Sequence, residues 1–277
     1  MMKKALSLFL AAAMCAGMLT GCGGGADTND ASNGDSGEST AAAFKIGGTG
    51  PLTGDAAIYG NAVKNGAQLA VDEINAEGGV QFELKMEDDE NDPEKAVSAY
   101  NALKDWGVQL SLGSVTSKPA EATATENFAD RIFALTPSAS APAVTEGKDN
   151  VFQMCFSDPN QGTASAEYIA DNQMGTKIAI IYKNDDVYSS GIYEKFKAEA
   201  ETKGLNIVST TTFTSSSATD FSVQLGEAKA AGADLLFLPI YYQPASLILQ
   251  QAKSMGYAPK FFGVDGMDGI LTMEGFD

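Results

Sequence analysis

Residues 44–88, FKIGGTGPLTGDAAIYGNAVKNGAQLAVDEINAEGGVQFELKMED, change their hydrophobic rhythm twice and so decide the fold. Phe44 to Ile46 is a short apolar run that ends in glycines. From about Ala57 to Ala76, the spacing of Val63, Ala67, Ala70, Val71 and Ile74 predicts one apolar helix face, with Gly78 placed as the stop. Phe82, Leu84 and Met86 then alternate with polar residues, the two-residue period of a half-buried strand. Strand, helix and strand in so short a segment is the unit from which parallel sheets are built.

The alternation continues downstream. Asp92-Pro93 opens a helix running towards Trp106, because an Asp side chain caps free N–H groups and proline suits the first helical position. VQLSLGS (108–114) and IFALTP (132–137) read as strands around a helix near 119–129. A second series follows: KIAIIYKN (177–184), a helix near 191–203, NIVSTTTF (206–213), a helix near 221–231, DLLFLPIYY (234–242), a helix near 244–255 and KFFGV (260–264). The pattern predicts an α/β protein of two doubly wound parallel-sheet lobes, 44–158 and 159–277. The chain is expected to cross between them near VFQMCFSDPNQG (151–162). Because the second series stops soon after a strand, an incomplete second lobe is expected.

The first residues are of another kind. Lys3 and Lys4 precede an apolar stretch, Ala5 to Leu19, which is too short to span a membrane and has the form of a secretory signal over 1–21. It ends in Leu19-Thr20-Gly21-Cys22, which resembles a bacterial lipobox; the resemblance implies cleavage before Cys22 and a diacylglyceryl group on its thiol. Residues 23–43 contain only Gly, Ala, Ser, Thr, Asn, Asp and Glu, so 22–43 is expected to be a lipidated terminus and flexible acidic linker with an average reach of about 25 Å. Cys15 leaves with the signal and Cys22 takes the lipid. Cys155 then has no disulfide partner and reads as a small buried hydrophobe.

Several chemistries fail on composition. The chain carries 36 acidic and 18 basic residues, a net charge of −18, which repels nucleic acid. It has no histidine, so Gly34-Asp35-Ser36-Gly37 cannot belong to a Ser-His-Asp triad, and the usual zinc sites are excluded. After Gly48-Thr49-Gly50 a dinucleotide fingerprint needs glycine where Thr53 stands, and a P-loop needs lysine after Gly54, where Asp55 stands. The acidic run Glu87 to Asp92 puts Pro93 where an EF-hand needs glycine, and reads instead as a solvated strand end with a helix cap. No catalytic residue, metal or cofactor is expected, and no enzyme. What remains is a set of Gly-, Ser- and Thr-rich loops at the carboxyl ends of strands, where helix N-termini receive a carboxylate as readily as a phosphate. A small zwitterion fits such a site.

GPLTGDAAIYGNAVKNGAQLAVDEINAEGG, EDDENDPEKAV, LGSVTS, LTPSASAP, IYYQPAS and FFGVDG, in that order over 44–277, closely resemble type I periplasmic solute-binding proteins of the branched-chain amino acid class. The resemblance implies two α/β lobes joined by a hinge, closing on a ligand and delivering it to the permease of an ABC importer. The implied protein is a monomer outside the cytoplasm, anchored to the bacterial membrane, at the cell surface or in the periplasm, through Cys22. The implied ligand is an aliphatic amino acid; an amide, urea or aromatic acid, or a sensor role, are the alternatives. By the resemblance, Ser117 holds the ligand α-carboxylate. The segment Ser138, Ala139 and Ser140 adds a carbonyl at Ser138 for the α-ammonium, and an N–H and hydroxyl at Ser140. Asp265 pairs with the ammonium from the other lobe, in place of the usual glutamate. Tyr59, Tyr188 and Tyr241 surround the side-chain pocket. Where the family often has a histidine-cysteine pair, this chain has Ser114 to Thr116, so no disulfide forms there.

Overall fold

The structure, a computed structural model, describes residues 42–276. The leader, Cys22 and nearly all of the 22–43 linker lie outside the described residues. The first sheet has five parallel strands in the order β2-β1-β3-β4-β5: β1 (Phe44–Gly50), β2 (Phe82–Asp88), β3 (Leu110–Ser111), β4 (Phe133–Thr136) and β5 (Val151–Gln153). Helices α1 (Ala57–Ala76), α2 (Pro93–Trp106) and α3 (Ser117–Asp130) are its crossovers. The second sheet is β7-β6-β8-β9, also parallel, with β6 (Ile178–Lys183), β7 (Ile207–Phe213), β8 (Leu235–Leu238) and β9 (Lys260–Gly263). Around it run α4 (Asp158–Asp171), α5 (Val187–Thr202), α6 (Ser222–Ala230) and α7 (Tyr242–Ser254). Among the described residues no helix is long and apolar enough to cross a membrane.

The opening glycines are strand, not loop. β1 pairs with β2 along its whole length, from Phe44 against Phe82 to Gly50 against Asp88. A Cβ on Gly48 would lie 2.6 Å from Met86 Sδ and 3.0 Å from the Leu112 carbonyl oxygen, so the glycines let neighbours pack on the strand. At α2 the Asp92 carboxylate accepts from the N–H groups of Glu94 and Lys95, both at 2.9 Å, and Gly107 at φ 89° closes the other end. The chain's one tryptophan, Trp106, ends α2 with the Lys45 ammonium 5.0 Å from its ring centre.

The second sheet is covered on both faces. Ala179, Ile181, Leu236 and Leu238 point into one apolar cluster with Leu225 of α6 and Ala245, Ile248 and Ala252 of α7. Ile178, Ile180, Leu235 and Phe237 point into the other, with Ala166 and Ile169 of α4 and Ile192, Phe196 and Ala200 of α5. Period-two alternation with apolar residues on both sides is what a doubly wound sheet requires.

Four features differ from the sequence expectation. On the face predicted for α1, only Val71 is buried; Val63 and Ala67 are half-buried, Ala70 is exposed and Ile74 is 46% exposed. The face of α1 turned to its own lobe packs on β1 and β2, and one line of contact suffices for that. Helix α4 was not legible, because it meets α5 through small residues, Gly162, Ser165 and Ala166, with Ile169. Cys155 is half-buried, not buried: β5 ends at Gln153, and the thiol points to the Ala139 carbonyl, Sγ to O 3.4 Å. The acidic run is not wholly solvated, since Asp89 is fully buried.

Candidate functional site

Parallel strands send their carboxyl ends, and the loops that follow, to one edge of each sheet. The loops after β3, β4, β8 and β9, with the first two turns of α1 and the first turns of α3 and α5, line an open cavity of about 330 Å³. That lies near the lower bound of small-molecule sites, about 300 to 1,000 Å³. Seven of the eight expected contact residues line it: Tyr59, Ser117, Ser138 and Ser140 from the first lobe, Tyr188, Tyr241 and Asp265 from the second. Ala139 does not; its side chain is 1% exposed in the apolar cluster of α3, β4 and β5.

On the first-lobe wall, Ser117 is the first residue of α3, so its N–H has no carbonyl one turn back and the positive end of the helix dipole lies there. Its hydroxyl oxygen accepts from the N–H groups of Ser140 (3.1 Å) and Ala141 (3.2 Å). With its lone pairs so engaged, the Ser117 hydroxyl is left to donate its own proton. The same bond takes up the Ser140 N–H that the sequence assigned to the ligand, leaving the Ser140 hydroxyl. The Ser138 hydroxyl donates to the Val115 carbonyl at 2.7 Å, and Thr136 Oγ1 donates to the Ser114 carbonyl at 2.6 Å, which ties the two serine loops together. Among the described residues no lysine or arginine lines the cavity, so an anion against this wall meets neutral donors and a helix end.

The facing wall is acidic. Tyr188 donates from its hydroxyl to Asp265 Oδ1 at 2.6 Å and accepts from the Gly266 N–H at 2.9 Å. Burial, then the charge of Asp265, pushes the Tyr188 hydroxyl well above its ordinary value, so it remains a donor. A Cβ on Gly266 would fall 2.5 Å from the Tyr188 oxygen and 3.0 Å from the Ile240 carbonyl oxygen; only glycine allows the loop this close. Gln161 of α4 supports the backbone, accepting from the Asp265 N–H at 3.2 Å.

Three tyrosines join the walls. Tyr188 and Tyr241 stack at 4.7 Å with planes 7° apart, and Tyr59 of α1 meets Tyr241 at 5.7 Å and the edge of Tyr242 at 5.4 Å. Tyr59 also donates to the Gly266 carbonyl, and Lys118 Nζ donates to the Asp185 carbonyl at 3.0 Å, so hydrogen bonds cross between the lobes at two places. Ala62, Val63 and Val115 give it an apolar patch. Beyond the stacked tyrosines lies a second cavity of about 380 Å³, bordered by Asp55, Glu90, Asp92, Asp186 and Lys183.

Two polar residues near the site escaped the sequence reading. Asp158 opens α4 fully buried, and burial, with smaller contributions from Asp265 and Asp186, pushes its carboxyl up to about 7. The other is Gln161. The pair Asp158-Pro159, like Asp92-Pro93, was the available sequence signal for a helix start here.

Comparison with known proteins gives consistent findings. Residues 43–273 match the profile of the family described as periplasmic binding protein. The Leu/Ile/Val-binding protein BraC3 of Rhizobium johnstonii is 33% identical over 226 residues, covering 80% of this chain and 61% of that relative. Two solved structures are similar. The leucine binding protein LivK of Thermotoga maritima has a TM-score of 0.79 and 27% identity over 84% of this chain and 67% of that one. The branched-chain amino acid transporter substrate binding protein LivJ of Streptococcus pneumoniae, in complex with isoleucine, has a TM-score of 0.74 and 31% identity over 80% and 64%. The chain thus spans about three fifths of the length of the curated relative it matches.

Proposed function

The chain belongs to the periplasmic binding protein family, and from that premise we propose that it binds a free aliphatic amino acid between its lobes, without chemical turnover, for delivery to an ABC importer. One observation carries the reading: the Ser117 hydroxyl and the Asp265 carboxylate line one cavity from opposite lobes. Ser117, with the Ser140 hydroxyl and the start of α3, suits an α-carboxylate. Asp265 and the Ser138 carbonyl suit an α-ammonium. Val63, Val115 and the tyrosine rings suit an aliphatic side chain. The names of the similar proteins, which bind leucine, isoleucine or valine, support the same ligand class.

Bridging contacts are what make such a ligand close the lobes, because a ligand shifts a conformational equilibrium only by its differential affinity for the two states. A micromolar ligand supplies about 8 kcal/mol in all, so charged hydrogen bonds of ~1.5 to 3 kcal/mol each are a large share. In this proposal the protein acts outside the cytoplasm as a monomer, tethered through a lipid on Cys22, with 44–158 and 159–277 as its lobes. A thermal-shift screen over amino acids and their amides tests the ligand class. Stabilisation by leucine, isoleucine or valine is expected; stabilisation by benzoates or amides alone would sink it. The stacked Tyr188–Tyr241 pair favours an aromatic acid as the second reading.

A further inference from the structure

Beneath the Ser140 and Asp265 walls lies a carboxyl group with no settled role. Asp158 is 0% exposed, and neither of its oxygens has a hydrogen-bond partner. The Ser140 hydroxyl stands close enough to favour the charged form, against the larger effect of burial, but completes no hydrogen bond to it. Its backbone N–H donates to the Ser140 carbonyl at 3.0 Å, which fixes it behind the serine loop. On its other side α5 packs so closely that a Cβ on Gly191 would lie 3.4 Å from Asp158 Cβ. One turn along α4, the Gln161 side-chain nitrogen is also buried without a partner, while its oxygen holds the Asp265 N–H. Three unpartnered polar atoms thus lie within one turn of α4, on side chains tied to the Ser140 and Asp265 backbones, an arrangement whose cost calls for a compensating group.

The other buried aspartates differ. Asp186 has the Tyr188 N–H at 3.1 Å and the Lys183 ammonium at 3.9 Å. Asp89 accepts from the Asn91 N–H at 2.9 Å and belongs to the loop before α2. The titratable groups acting with Asp158 are Asp265 after β9, Asp186 before α5, Tyr241 before α7 and Cys155 after β5, none of them a cation. Lys183 and Lys118 exert their charge on Asp186 and Asp185 instead. Burial and the two anionic neighbours hold the carboxyl of Asp158 up to about 7, so it keeps its proton in mildly acidic surroundings.

We propose that Asp158 is protonated in the ligand-free protein and releases that proton to solvent when a cationic amine enters the cavity, so that the amine's charge is balanced by a carboxylate buried behind the wall as well as by Asp265 and Asp268, which line it. The proposal rests on the amino-acid reading of the cavity. The proton leaves as H⁺ to the buffer, no covalent bond to the ligand forms, and the incoming ammonium supplies the charge that stabilises the carboxylate left behind. A ligand without an amine has nothing to displace the proton, so the site discriminates by charge as well as by shape.

The test is calorimetric titration of the full-length protein with L-leucine at pH 6, in two buffers of different ionisation enthalpy. About one proton released per ligand is expected, and affinity should rise about tenfold per pH unit up to pH 7 and then level off. In Asp158→Asn, binding should persist while the buffer dependence and the pH slope vanish; Asp158→Glu should retain both. Leucine binding whose heat is the same in both buffers overturns this proposal and leaves the amino-acid reading standing. So does proton release that survives in Asp158→Asn. Absence of binding by any amino acid overturns the amino-acid reading and this proposal with it.

Discussion

In the second sheet, Ile178, Ile180, Leu235, Leu236, Phe237 and Leu238 are all fully buried, with helices on both faces. In the first, Phe133 and Phe152 on neighbouring strands are 46% and 47% exposed and stack on each other at 5.4 Å, and Met154 beyond them is 77% exposed. The two are built from the same strand-helix-strand unit, yet their burden differs. Apolar area removed from water scales with stabilisation, so each of these second-sheet side chains contributes more packing energy than the half-exposed aromatics of the first. The first lobe contributes hydroxyls and N–H groups: Thr49, Ser114, Ser117, Thr123, Thr136 and Ser140 are all buried polar residues. Packing is thus concentrated on one side of the cavity and hydrogen-bond donors on the other.

The sharpest way to break this contrast is Phe237→Ala, which removes a ring stacked on Phe196 at 3.9 Å and should cost about 3 to 5 kcal/mol in urea unfolding. If Phe133→Ser on the first sheet cost as much, the contrast would fall. Next in size is Asp265→Ala, which removes one of the two carboxylates that line the cavity, the one bonded to Tyr188. Affinity for amino acids should drop by about 2 to 3 kcal/mol, thirty- to a hundredfold and more, with little change for ligands lacking an amine. Equal losses for both would remove Asp265 from the ammonium.

Asp158→Asn probes where the lobes meet. The carboxyl is raised from 3.8 to about 7 in the folded protein, so the stability of the protonated form is fully present below about pH 4 and lost as pH rises to 7. A shift of that size amounts to at most ~4 kcal/mol. The Asn variant has nothing to ionise, so relative to the native chain it should gain about 2 kcal/mol between pH 4 and pH 8 in denaturant melts, ligand absent. A constant difference would show that Asp158 ionises normally. The smallest effect belongs to Phe133→Ser itself, where half the ring already meets solvent: less than about 1 kcal/mol is expected.

Periodicity made most of this fold legible. Pro93–Trp106 carries its cap and its stop in the sequence, Ala57–Ala76 carries its stop at Gly78, and the central strands of the second sheet, β6 and β8, are apolar runs. Helix α4 was missed because close helix contact selects small side chains, which leave no apolar stripe to read. β3 forms ladder pairs only at Leu110 and Ser111, shorter than the run 108–114, since strand length depends on neighbours that a single segment does not contain. Most of the expected site residues lie around one cavity because the family motifs name loops and parallel sheets gather those loops. The engagement of the Ser140 N–H by Ser117 and the unpartnered state of Asp158 depend on contacts across 23 positions and across lobes, which no local pattern encodes.

Trp106 closes α2 beside Lys45, inside the first lobe, and the chain has no second indole. Its emission therefore reports the unfolding of one half of the molecule alone. The stacked tyrosines Tyr182–Tyr193 and Tyr188–Tyr241 lie in the other half and supply a separate ultraviolet signal. Two optical channels, native to the sequence, can follow whether the halves melt together or one after the other, with no dye attached.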